Sequence, residues 1–130
     1  FDTVSAAMKR PKATPEEKAA RQAALQAALV SASEVPLETM RECLEVLRLA
    51  AIAAEQGNVH AVSDAAVAAL SARAGLAGAA FNVAINAASL KDAPTASRLR
   101  EEAGRLSAEA ARIESGVLSR VDRRIHAPAG

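Results

Sequence analysis

Between Gly57 and Asp92 the sequence gathers the side chains whose types and spacing suit chemistry. Asp64 offers a carboxylate for taking up or delivering a proton, provided that a substrate comes within hydrogen-bond reach. Asn82 and Asn86 stand one helical turn apart and can face one ligand. Being neutral, they would orient a substrate or stabilise developing charge, not transfer protons. Asn58 and Ser63 precede this group and Lys91 closes it. At about 100° per residue, Asp64, Ala68, Ser71, Gly75, Gly78, Asn82, Asn86 and Ser89 fall within about 40° of one line, a face that is tiny or polar along its length. Val67, Leu70, Phe81 and Ile85 cluster on a neighbouring face and read as a core-facing stripe. Glycine inside a helix costs up to about 1 kcal/mol against alanine, so Gly75 and Gly78 imply that something sits very close. Two occupants satisfy that: a packed helix bonded by the asparagines, or a ligand in a groove.

Other residues carry weaker signals. His60 lies four positions before Asp64, a spacing that can share a metal. However, Asn58–Ser63 reads as loop and no second His or Cys cluster supports it, so no metal is expected. Cys43 has no base partner and reads as a buried small hydrophobe. No phosphate-cradling glycine loop is present.

These residues need helices to place them. Thr14-Pro15-Glu16-Glu17 is a capping-box start with proline at the first helical position. The pattern predicts a helix over 15–33, a break before Val35-Pro36-Leu37, and a second helix to about 56. Gly57 is expected as a left-handed stop, with Asn58 beside it. Ser63 and Asp64 are expected to cap the next helix, which runs to about Leu90. Asp92-Ala93-Pro94 opens the last, to about Ile125. In it Leu99, Ala103, Leu106, Ala110, Ile113, Val117 and Val121 form a coiled-coil-like stripe. No segment alternates with period two. The prediction is an all-α antiparallel bundle of long helices without a sheet, with His126–Gly130 frayed.

At 130 residues the chain is one domain, 51% hydrophobic and 24% charged. Its apolar content is mostly alanine, with Phe1 and Phe81 as the aromatics and no Trp or Tyr. Alanine forms helix well but buries little surface, so close backbone packing and a homodimer are expected, the latter also from the stripe on the last helix. A net charge of +1 and scarce aromatics argue against nucleic acid. One cysteine excludes an internal disulfide and suits a reducing, cytoplasmic setting. No apolar run is read as reaching the roughly 18 residues of a membrane span, and Phe1–Lys12 is no signal peptide. Starting at Phe1, the chain is not expected to be at its native beginning.

Several of these motifs, in order, resemble the formiminotransferase-cyclodeaminase / methenyltetrahydrofolate cyclohydrolase family. They are Gly57-Asn58, Ser63-Asp64, Asn82-Val83-Ala84-Ile85-Asn86 and Leu90-Lys91-Asp92, with Lys9-Arg10-Pro11-Lys12 and Val35-Pro36-Leu37 upstream. The resemblance implies that residues 1–130 are the C-terminal part of one cyclodeaminase/cyclohydrolase-type helical domain, without its glycine-rich opening segment. It implies a folate one-carbon enzyme with a tetrahydrofolate derivative as substrate and no further cofactor. Asp64 would be catalytic, and Asn58, Ser63, Asn82, Asn86 and Lys91 would bind substrate. Lys9 and Lys12 would meet the glutamate tail of folate, or form a solvated charge run. A methenyltetrahydrofolate cyclohydrolase is favoured, since no formiminotransferase partner domain is present. The alternatives are a formiminotetrahydrofolate cyclodeaminase and a non-catalytic helical assembly module.

Overall fold

The structure is a computed structural model that describes residues 2–126; the fraying expected at Ala127–Gly130 lies outside the described residues. Four α-helices follow one another: α1 (Asp2–Met8), α2 (Pro15–Gln56), α3 (Val62–Ala88) and α4 (Ala93–Ile125), with a 3-10 turn at Val59–Ala61. No strand occurs among the described residues. The helices α2, α3 and α4 run up, down and up, so the predicted antiparallel bundle is found. The short α1 folds back along the first turns of α2, where Arg21 Nε donates to the Met8 carbonyl at 3.1 Å.

The capping box forms as predicted. The Glu17 N–H donates to Thr14 Oγ1 at 3.2 Å, and the Thr14 N–H donates to Glu17 Oε2 at 3.2 Å. Asp92 caps α4, accepting from the Thr95 N–H at 3.3 Å.

The expected break at Val35-Pro36-Leu37 is absent, and α2 runs through Pro36 for 42 residues. Proline has no N–H for the carbonyl four residues earlier, a defect that normally ends a helix. Here that carbonyl, on Ala32, accepts from Asn86 Nδ2 of α3 at 3.2 Å. Pro36 itself is buried. A tertiary bond replaces the missing helical one.

Gly57 is not left-handed: its φ is −71°. It is glycine for lack of room, because an added Cβ would stand 2.5 Å from the Ala53 carbonyl oxygen. The end of α2 is satisfied by Arg124 of α4, which donates to the carbonyls of Ala54 at 2.9 Å and Gly57 at 2.7 Å. A cation at a helix C-terminus also suits the helix dipole. Arg100 serves α3 in the same way, donating to the Ala87 carbonyl at 3.2 Å.

Ser63 and Asp64 do not cap α3. Its N-cap is Ala61, with no side-chain cap bond, and Asn58 opens the preceding 3-10 turn by accepting from the His60 N–H at 2.9 Å. Asp64 sits in the first turn of α3, where a negative charge is favourable.

The apolar stripe expected to face the core on α3 faces outward instead. Val67, Leu70, Phe81 and Ile85 are exposed, Phe81 at 71%. The buried face is Ala65, Ala69, Ala72, Leu76, Ala79, Val83 and Ala87. Helix α3 packs along both α2 and α4, which also touch each other, and its small side chains let both neighbours come close. The α4 stripe is buried within the chain, Ile113 partly and the rest fully, so it is not an intermolecular seam. Contrary to expectation, an 18-residue stretch within Val59–Ala88, of mean hydropathy 1.3, is long and apolar enough by composition to cross a membrane. Alanine raises that value, while Arg73 in the same helix pairs with Glu114 of α4 at 3.5 Å.

Ion pairs at heptad spacing along α2 set its register on α4: Glu34 with Arg98, Arg41 with Glu102, Arg48 with Glu109, Glu55 with Arg120. Each is worth about 0–1 kcal/mol, but a slipped register would oppose like charges. The Arg48 hydrogen bond, with help from nearby Arg105 and Arg112, holds the Glu109 carboxyl below its ordinary value. Hydrogen bonds from Arg41 to Glu102 and Glu38 keep that guanidinium more firmly protonated than usual.

Candidate functional site

The edge where α2 meets α3, away from α4, is uncovered and holds two grooves. The larger, about 660 Å³, lies between the Ala32–Thr39 stretch of α2 and the Gly75–Asn86 stretch of α3, with Val4 of α1 at its rim. This volume is within the range of small-molecule sites. The lining carries no charge. Its polar side chains are Thr39, Asn82 and Asn86.

The small face of α3 divides between the two occupants the sequence allowed. At Gly75 the neighbour is protein: an added Cβ would meet Cys43 Sγ at 3.2 Å. At Gly78 an added Cβ would meet nothing within 4 Å, and the space belongs to the groove. Cys43 is a free, half-buried thiol packed against the core, as a small hydrophobe would be. Asn86 is bound to the α2 backbone through Nδ2, whereas Asn82 is exposed and makes no hydrogen bond to another described residue. Thr39 Oγ1 donates to the Val35 carbonyl at 3.2 Å.

The second groove, about 380 Å³, lies further along the same edge and is lined by Asn58 and Asp64 together with Val46, Leu49 and Ala53 of α2. The structure therefore brings Asn82 and Asn86 together, and Asn58 and Asp64 together, but not the two pairs. Ser63 is exposed and lines neither groove. Lys9, Lys12 and Lys91 are also exposed and line neither. The Lys91 backbone N–H is tied to Gln26 Oε1 at 2.6 Å, while Gln26 Nε2 donates to the Ser89 carbonyl at 3.1 Å. Among the described residues, no three His, Cys, Asp or Glu side chains come together to hold a metal.

The α2 wall, with Pro36 and Thr39, escaped the sequence reading. Its signal was present, since a proline in mid-helix pattern can mean an interior carbonyl with a tertiary partner. Reading Pro36 as a helix break hid it.

Comparison with known proteins gives these grooves a context. The profile of the formiminotransferase-cyclodeaminase family matches residues 1–105. A protein of Methylorubrum extorquens named methenyltetrahydrofolate cyclohydrolase is 46% identical over 126 residues, 97% of this chain and 61% of its own length. Formimidoyltransferase-cyclodeaminases of Sus scrofa and Gallus gallus are 38% and 33% identical, each over 95% of this chain and 23% of their own length. The chain thus spans less than two-thirds of each of these relatives.

Proposed function

This chain belongs to the formiminotransferase-cyclodeaminase family, and on that premise we propose that the protein is a methenyltetrahydrofolate cyclohydrolase, with residues 1–130 the C-terminal part of one helical domain. The observation that carries the reading is the 46% identity, across nearly the whole chain, to a protein bearing that name. The reaction adds water to the cationic carbon bridging two folate nitrogens. The water oxygen bonds to that carbon as a proton leaves to a base, giving a tetrahedral carbon. One carbon–nitrogen bond then breaks as the new hydroxyl gives up its proton and becomes the carbonyl, that nitrogen takes a proton, and a formyl group remains on the other. Asp64 is the group for the proton steps, and Asn82 and Asn86 hold the ligand. An uncharged groove suits a cationic bridge whose charge disappears as water adds.

The separation of the two grooves supports a homodimer. Val67 and Leu70 lie to one side of Gly75 along α3, Phe81 and Ile85 to the other, and all four are exposed. A twofold axis crossing α3 near Gly75 would cover these residues and bring Asp64 of the partner subunit opposite Asn86, one turn from Asn82. The cytoplasm, where Cys43 stays reduced, is the compartment this reading implies.

A cyclodeaminase, which closes the bridge and expels ammonia, is the second reading, favoured by the names of the two vertebrate relatives. The deciding experiment offers protein made from the complete coding sequence each substrate in turn. Loss of the methenyl chromophore faster than the buffer rate is the expected result. Ammonia release from formiminotetrahydrofolate alone would favour the second reading. Turnover of neither would leave an assembly module.

A further inference from the structure

In the larger groove the two ends of the Asn86 carboxamide are not equivalent, and the reason lies in α2. Pro36 cannot donate to the Ala32 carbonyl, so that oxygen faces α3 as an unfilled acceptor. A carbonyl oxygen can be met only by a donor, which fixes the amide: Nδ2 turns to Ala32, at 3.2 Å, and Oδ1 is the other end. Asn86 and Pro36 both line the groove, and Oδ1 has no partner among the described residues. Asn86 is half-buried, so the bond is partly shielded from competing water.

We propose that Pro36 and Ala32 are a positioning device that presents Asn86 Oδ1 to the groove as a fixed acceptor, selecting a ligand edge that carries an N–H donor. This rests on the folate reading above, under which that edge belongs to the reduced pteridine: its 2-amino group, its N3–H or its N8–H. Asn86 touches the ligand. Pro36 acts through it.

The test uses protein made from the complete coding sequence and tetrahydrofolate as the probe. Pro36→Ala restores an N–H at position 36, so α2 closes its own bond to Ala32 and Asn86 is released. Removing a proline from a helix interior favours the helix, so Tm should hold or rise. At the same time the Kd for tetrahydrofolate should rise by about threefold to tenfold, as for a hydrogen bond whose acceptor is no longer pre-oriented. A merely structural role for Pro36 would move stability and affinity together. Asn86→Ala should raise Kd by about tenfold or more. Three analogues, 2-desamino, 3-deaza and 8-deaza, identify the donor. One of them should bind the wild type weakly and lose nothing further in Asn86→Ala. A Pro36→Ala Kd within about twofold of the wild type overturns the positioning role. Equal further losses for all three analogues overturn the acceptor role. A wild type that binds no tetrahydrofolate overturns the folate reading, and this inference with it.

Discussion

Asp64 and Asn82 stand on one edge of α3 yet line different grooves, about 27 Å apart along the helix axis. One bridge carbon cannot be within reach of both side chains of a single chain. Their division of labour is therefore open to separate mutation. Asp64 makes no capping bond, so Asp64→Asn should change stability by less than about 1 kcal/mol, the range of a charge near a helix N-terminus. Turnover should fall about a hundredfold, as for loss of a general acid or base. Steady-state kinetics beside a melting curve checks this, and unchanged turnover would remove Asp64 from the chemistry.

Gly78 separates stability from binding. Its missing Cβ faces open groove, so Gly78→Ala should stabilise α3 by about 0.5–1 kcal/mol. The added methyl narrows the groove, and folate affinity should drop. Gly75→Ala should gain less, because Cys43 Sγ must yield first. Denaturant midpoints for the two variants give the comparison.

Arg124 is expected to matter more than its place near the end of α4 suggests. Its guanidinium covers carbonyls at the end of α2, partly out of solvent. Arg124→Ala should destabilise the fold by about 2 kcal/mol, the scale of charge-assisted hydrogen bonds. Amide exchange should quicken first in the last turn of α2.

Phe81 tests self-association. It is exposed in the single chain, so Phe81→Glu should leave helicity unchanged. In sedimentation the wild type should form dimers at micromolar concentration and the variant should not. A wild type that stays monomeric would remove the twofold arrangement.

Acid should loosen the α2–α4 register. The folded Glu109 carboxyl titrates below its ordinary value of 4.5 because Arg48 donates to it. A depressed folded value means that stability is present above the unfolded value and lost as pH falls through the folded one. Tm should therefore decline on acidification below about pH 4.5. Glu109→Gln should flatten the part of that decline due to this pair.

Much was legible from sequence because it depends on neighbours along the chain. The Thr14–Glu17 capping box, the Asp92 cap, the α4 stripe and the absence of strand among the described residues all follow from local hydrogen bonding and period. The tiny-polar line through Gly75, Gly78, Asn82 and Asn86 was likewise visible. Pro36 and the exposed face of α3 depart from the sequence pattern for one cause. A helix pattern says which residues lie together on a face, not what stands opposite. Pro36 reads as a break until Asn86 arrives from another helix to satisfy Ala32. Phe81 and Ile85 read as core until α3 proves to turn its small side chains to both α2 and α4, where they set the interhelical distance. Burial there goes to alanine, and the large apolar residues are left facing outward. Only the tertiary arrangement decides that, because steric room between helices is a property of three helices at once.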